Sequence, residues 1–337
     1  MKKLRVGVIG CGNISERHLD SAQALDEAEL VAVCDVKEDR AKEKAEKYNT
    51  AMYLDYKEMF DKENLDAVHI CLPHYLHVPV AMEAMERGIN VISEKPMSIK
   101  YEDAVKAVEF AEEKGVLYGV IFQTRYNTPS RLVKQRVEDG RLGKVLCARS
   151  TLTWYRPEDY YAKSDWKGTW DKEGGGVVID QAIHSLDLAN WLIGSTPVEI
   201  QSSLHNRDHK SMIVEDSAEG LIKYENGATL AFWAMNNYLI NEPIEIRVYC
   251  ENGKAVFSYD EATITYNDGV VETVKNSPQR IVSYTGGKDY WGRQHAVQIK
   301  QFYQSVLGYE KLEISGREAL KIQKIVCDIY NNTDTTI

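Results

Sequence analysis

The apolar run KLRVGVIG ends in Gly10 and passes directly into Cys11, Gly12, Asn13, Ile14 and Ser15, and no other junction restricts the fold as much. An apolar strand, a glycine turn and a helix start in immediate succession form the phosphate-cradling unit of a βαβ fold. Gly10 permits the tight turn, Gly12 lets the backbone approach a pyrophosphate, and the helix N-terminus offers unsatisfied N–H groups and positive potential. Asp35 closes the second apolar run, LVAVCD, 20 residues after Ser15. Its carboxylate is placed to accept hydrogen bonds from an adenosine ribose and to repel a 2′-phosphate, which favours NAD over NADP. Lys37 and Arg40 lie close enough in sequence to soften that repulsion, so NADP stays possible.

The same rhythm continues to residue 122. KLRVGVIG, LVAVCD, DAVHICL, NVISE and LYGVIF are buried parallel strands rich in Val and Ile, and between them run segments with apolar residues at helical spacing. Alternating strand and helix predicts a doubly wound parallel sheet, an α/β Rossmann domain over residues 1–122. From residue 123 the pattern becomes α+β. A helix over Pro129–Asp139 and a strand over Lys144–Thr153 precede an aromatic loop. Hairpins at Asn226-Gly227 and Asn252-Gly253 then predict a mainly antiparallel open sheet, and two helices, Trp291–Leu307 and Arg317–Asn331, close the chain. Residues 123–337 therefore read as a second domain for substrate binding and oligomerisation. A chain of 337 residues suits two domains.

A net charge of −10 argues against nucleic acid, whose phosphates select basic faces. No apolar stretch is long enough to span a membrane, and the N-terminus lacks the pattern of a secretion signal. The six cysteines are scattered without a CxxC pair, which suits a reduced cytoplasm and leaves no zinc sphere.

Two further segments carry a resemblance. CLPHYLHVPVAMEAMERGINVISEKP ends in Glu94-Lys95-Pro96, and GGGVVIDQAIHSLD contains Asp180 and His184. With the N-terminal fingerprint, the chain resembles the glucose–fructose oxidoreductase, inositol dehydrogenase and MocA-type (Gfo/Idh/MocA) family of NAD(P)-dependent oxidoreductases. The resemblance implies a catalytic set of Lys95, Asp180 and His184 and a cis bond before Pro96. It places Gly10, Gly12, Asn13, Ile14, Asp35, Pro73, His74, His77, Glu94 and Lys95 around the cofactor; His77 also reads as helix-start packing. It further implies a homodimer or homotetramer and a substrate that is a sugar, sugar acid, nucleotide sugar, sugar phosphate or cyclic polyol. The chain departs from the family pattern at His74, where Asn is frequent, and at Ala182, where Gly is usual.

Oxidising a secondary alcohol needs a hydride acceptor and a base. His184 titrates nearest neutrality and is the first choice of base, with the Lys95 ammonium polarising the substrate oxygen. Burial beside a cationic nicotinamide lowers a lysine's pKa, which keeps Lys95 as the second choice. Asp180 binds a substrate hydroxyl. Trp154 and Arg156, in the aromatic loop, are expected in the substrate pocket, Arg156 against a carboxylate or phosphate. Arg125 either positions substrate or closes the domain junction. Two other readings share the scaffold: an NAD-dependent glycosidase acting through a transient 3-keto sugar, and a non-catalytic dinucleotide sensor.

At 100° per residue, Asp180, His184, Asp187 and Trp191 form one narrow stripe on an apolar helix. A metal is not expected there, because no further His or Cys cluster completes its sphere. Gly174, Gly175 and Gly176 precede the helix and are expected to let the backbone approach substrate or cofactor.

Overall fold

The computed structural model describes residues 3–258, 260–276, 281–285 and 294–335. The strands β1 (Leu4–Ile9), β2 (Ala28–Cys34), β3 (Ala51–Tyr53), β4 (Ala67–Ile70), β5 (Asn90–Ser93) and β6 (Tyr118–Val120) alternate with helices α1 (Ser15–Ala24), α2 (Glu38–Tyr48), α3 (Tyr56–Lys62), α4 (His77–Glu86) and α5 (Tyr101–Lys114). All pair in parallel, in the order β3-β2-β1-β4-β5-β6. The order reverses between β1 and β4, the switch point at which dinucleotides bind in such sheets. β4 is buried at every position, including His69, as a central strand covered on both faces requires. Helices stop where the backbone turns left-handed: α2 at Asn49 (φ 52°) and α5 at Gly115 (φ 67°).

The second half begins with α6 (Thr128–Glu138), β7 (Val145–Thr153), the short α7 (Glu158–Ala162) and α8 (Ile183–Ile193). Strands β8 (Pro197–His205), β9 (Ser217–Tyr224), β10 (Thr229–Met235), β11 (Glu245–Cys250), β12 (Gly253–Ser258), β13 (Glu261–Tyr266) and β14 (Val271–Lys275) follow. With β15 (Thr333–Thr335) they form one sheet, β14-β13-β12-β11-β7-β10-β9-β8-β15. Its pairs are antiparallel except β7 with β10 and β8 with β15. Helix α8 packs on β7, β10 and β11. The fold is thus a Rossmann sheet plus an α+β sheet.

By contacts the chain divides into Met1–Gln123 with Gln279–Lys321, and Thr124–Pro278 with Ile322–Ile337. A linear reading assigns everything after residue 122 to the second half. The closing helix α9 (His295–Val306) instead inserts Phe302 and Tyr303 into the cluster built by Val6, Ala22, Ile92 and Ile121 of the first unit. Helix α10 (Gly316–Asn331) opens with the Ser315 hydroxyl accepting from Glu318 N at 3.3 Å, which caps its first turn. Trp291, the expected start of the preceding helix, lies outside the described residues. At the second hairpin, Gly253 is already in the ladder, opposite Cys250 and Tyr266, and the turn is Glu251-Asn252. No described helix is long and apolar enough to cross a membrane, and all six cysteines are free.

Candidate active site

In the first unit, the Gly10 N–H donates to Cys34 O at 2.8 Å and its φ is +91°. A Cβ there would sit 2.3 Å from Cys71 O, at the end of β4, so only glycine brings the two strand ends together. A Cβ on Gly12 would meet nothing within 4 Å. Asn13 and Ile14 are exposed, and no side chain caps the start of α1 among the described residues. Asp35 joins this turn to the end of β2: its Oδ2 accepts from Cys11 N at 2.8 Å and its Oδ1 from Lys37 N at 2.9 Å. Ser15 is fully buried and donates through Oγ to Gly12 O at 2.6 Å, so the small third residue of the fingerprint packs helix against strand. Open space over Gly12, amide groups at an uncapped helix start and an anchored carboxylate fit an adenine dinucleotide.

The EKP segment follows β5. The bond between Lys95 and Pro96 is cis, and the Lys95 side chain is half-buried. His77 is fully buried with its ring between two carbonyl oxygens: Nδ1 lies 2.7 Å from Pro96 O and Nε2 2.7 Å from Leu72 O. It therefore braces the EKP segment against the loop that carries Pro73 and His74. Burial pushes its pKa down, against the two carbonyls.

Glu94 faces inward. Its Oε1 lies 3.0 Å from His18 Nε2 and 3.3 Å from His295 Nε2, and its Oε2 accepts from Lys95 N at 3.3 Å. Burial alone pushes this carboxyl up, but the two imidazole hydrogen bonds outweigh it and hold Glu94 well below the usual carboxylate range. Burial lowers the pKa of His18 and that of His69 further still, so both rings are neutral. One proton order then satisfies the chain. Tyr303 OH donates to His69 Nε2 (2.8 Å), His69 Nδ1–H to His18 Nδ1 (2.8 Å), and His18 Nε2–H to Glu94. The His18, Glu94 and His295 ligand atoms lie within 4.8 Å of one another, and a carboxylate accepting two N–H groups accounts for the cluster without a metal ion.

In the second unit, Asp180 and His184 are the two partly exposed residues between Glu173 and Asn190. They do not share one regular helix. Val178–Ala182 is a single π-type turn, and α8 begins at Ile183, so 100° per residue does not apply across the pair. The Asp180 Oδ2 accepts from Tyr160 OH (3.0 Å), Lys167 Nζ (3.1 Å) and Gln181 Nε2 (2.8 Å). Asp187 is fully buried and takes the Arg125 guanidinium through two bonds, Nε to Oδ2 at 2.8 Å and Nη2 to Oδ1 at 2.5 Å. Trp191 stacks beneath Arg125, whose guanidinium carbon is 5.6 Å from the ring centre. The outer part of the stripe thus belongs to a buried ion pair, and Arg125 is directed at α8.

Arg156 is buried between the Trp154 and Tyr160 rings, 4.8 and 5.6 Å from their centres. Its Nη1 donates to Tyr155 O and Asn241 Oδ1, while its buried Nε has no hydrogen-bond partner among the described residues. Trp154 donates to Glu242 O at 3.2 Å. The aromatic loop hid two charged residues that sequence reasoning missed, Lys167 and Glu173. Lys167 sits in WKGTW, and rings on both sides of a lysine were the available signal.

Two of the three glycines, Gly175 and Gly176, serve a different contact from the one expected. A Cβ on Gly175 would lie 2.1 Å from Tyr330 Oη and one on Gly176 1.9 Å from Glu215 O. The close approach is to the protein's own chain, where the Glu215 carboxyl accepts from Gly176 N (2.9 Å), Val178 N (3.0 Å) and Tyr330 OH (2.8 Å). Gly176→Ala is expected to lower stability by about 1–3 kcal/mol, since backbone must shift. Gly12→Ala is expected to leave the free energy of unfolding within about 0.5 kcal/mol of wild type while weakening NAD binding. Urea denaturation and NADH fluorescence titration of the two variants check the contrast.

With this geometry in hand, residues 4–122 match the family model described as "Oxidoreductase family, NAD-binding Rossmann fold" and residues 130–256 match the "GFO/IDH/MocA C-terminal domain". The class is a nicotinamide-dinucleotide oxidoreductase. The chain belongs to the Gfo/Idh/MocA family. It is 26% identical to the D-glucoside 3-dehydrogenase of Escherichia coli, over 98% of this chain and 96% of that protein. It is 29% identical to the myo-inositol 2-dehydrogenase of Thermotoga maritima, over 67% of this chain and 66% of that one. The WlbA dehydrogenase of Bordetella pertussis, solved with NADH and UDP-GlcNAcA, superposes with a TM-score of 0.84 at 27% identity, covering 98% of this chain and 96% of that chain.

Proposed function

We propose that this enzyme oxidises a secondary hydroxyl of a pyranose sugar or sugar acid with NAD. The single observation that carries the reading is the polar set at the start of α8. There the partly exposed Asp180 and His184 interrupt an otherwise buried segment, and the Asp180 carboxylate accepts from Tyr160, Lys167 and Gln181. Bound NAD supplies a hydride acceptor at its nicotinamide ring. Gly10, Gly12, Asn13 and Ile14 cradle its pyrophosphate, Asp35 takes the adenosine ribose, and Pro73 and His74 line the nicotinamide end. His77 and Glu94 act as braces behind that surface, consistent with their inward hydrogen bonds.

In the reaction, the carbinol C–H leaves as hydride and the hydroxyl proton passes to His184 Nε2 or to Lys95 Nζ, leaving a ketone. Lys95 holds the substrate oxygen as its charge develops. Asp180 accepts a hydrogen bond from a neighbouring hydroxyl. Trp154 stacks on the sugar's apolar face, and Arg156, with its unsatisfied Nε, favours a carboxylate on the substrate. Arg125 acts through Asp187 to fix α8. The enzyme is cytoplasmic and homo-oligomeric. Trp233, Leu146, Tyr249 and Val198 lie exposed on strands of the large sheet, and light scattering tests whether that face is covered in solution.

The deciding experiment is a screen of NAD and NADP reduction over glucosides, uronic acids, UDP-sugars, sugar phosphates and inositols. NADH formed in proportion to a pyranose or uronic acid is the expected result. Product release without net NADH would favour the glycosidase reading, and silence with every compound and both cofactors would favour the sensor.

A further inference from the structure

Lys167 lies in the loop that leads to the glycines, 13 residues before Asp180, yet its side chain is only 15% exposed. Its ammonium lies over two rings, 4.3 Å from the centre of Trp166 and 4.7 Å from that of Tyr160. It bridges two carboxylates, Asp180 Oδ2 at 3.1 Å and Glu173 Oε1 at 3.4 Å. Glu173 is completely buried and its Oε2 accepts from Gly168 N at 2.5 Å. A solvated surface lysine has neither two aromatic walls nor a fully buried carboxyl partner. Burial works against the Lys167 charge, but Asp180, Tyr160 and Glu173 outweigh it and its pKa is raised. Burial pushes Glu173 in the opposite sense for its charge, far above the usual carboxylate range. The Lys167 ammonium thus sits between a fully buried carboxyl, Glu173, and the partly exposed carboxyl of Asp180.

The direction of the contacts gives the arrangement a use. Tyr160, Lys167 and Gln181 all reach Oδ2 of Asp180. Three donors converging on one oxygen restrict the rotation of the carboxylate. An ionised, fixed carboxylate can only accept a hydrogen bond, whereas a protonated one would donate, so the charge state of Asp180 decides which way a sugar hydroxyl is held.

Resting on the proposed reading of Asp180 as a substrate-hydroxyl acceptor, we infer that Lys167 is a positioning residue of this site: its ion pair with Asp180 holds the charge and the rotation of the carboxylate that receives the substrate. Lys167 touches neither the cofactor nor the reacting carbon in this role. The charged and titratable groups around Asp180 include Lys167, Glu173, Tyr160 and Tyr161.

The test uses the full-length protein labelled with 13C at aspartate carboxyl carbons, with Asp180→Asn identifying the resonance. Lys167→Met is expected to raise the pH at which Asp180 titrates by about one to three units, and Lys167→Arg to restore it. Tyr160→Phe, which removes one donor and no charge, is expected to shift it upward by less and serves if Lys167→Met does not fold. With the sugar identified in the screen, the acid limb of kcat/KM should move with the same midpoint, kcat/KM falling about 10- to 100-fold below it. An Asp180 titration unchanged in both Lys167→Met and Tyr160→Phe would overturn the inference. Wild-type turnover by Asp180→Asn would instead remove the reading of Asp180 itself, and it is seen without any Lys167 variant.

Discussion

Lys95→Met and His184→Ala are each expected to lower kcat by about 10²- to 10⁴-fold, the range over which positioned proton-transfer and charge-stabilising groups act. NADH should still bind to His184→Ala with near wild-type affinity, because the glycine turn and Asp35 are untouched. The two variants separate by pH. If His184 takes the proton, the limb of kcat/KM near neutrality disappears in His184→Ala and persists in Lys95→Met, and added imidazole recovers part of the His184→Ala rate. The reverse pattern assigns the proton to Lys95. Full turnover by Lys95→Met on the identified sugar would sink the catalytic assignment.

Asp187→Ala is expected to destabilise the protein by about 3–5 kcal/mol, because it removes the carboxylate that takes the buried Arg125 guanidinium through two bonds. Arg125 is 3% exposed and Asp187 0%, so water cannot replace the lost carboxylate. The double variant Arg125→Met with Asp187→Leu should recover most of that loss, since an apolar pair of similar volume removes the buried charge together with its partner. Urea denaturation of the three proteins measures both effects. A small loss in Asp187→Ala accompanied by a large rise in the KM for the sugar would place Arg125 on the substrate instead.

The sequence made the nucleotide half legible because its signals are local. Gly10, Gly12, Ser15 and Asp35 have meaning at fixed offsets along strand, turn and helix, and backbone and side-chain hydrogen bonds tie each of them to that turn. The hairpin at Asn226-Gly227 was equally local, joining β9 to β10. The π-type turn at Val178–Ala182 was not, because apolar spacing alone does not distinguish a wide turn from an α-helical one. The role of Gly175 and Gly176 also escaped, since the groups they make room for, Tyr330 and Glu215, come from distant segments.

Charged side chains mark the limit of the local reading. Arg125 finds Asp187 across 62 residues and Glu94 finds His18 across 76, and nothing in the neighbouring sequence names either partner. The sequence by itself determined a dinucleotide-binding sheet, the glycine turn and the residues at which chemistry is placed. Only the tertiary structure decided which charges face each other: Arg125 with Asp187, Glu94 with His18 and His295, Lys167 with Asp180. Burying a charge is so costly that its partner must be fixed, and the path of the whole chain, rather than the spacing of its neighbours, supplies that partner.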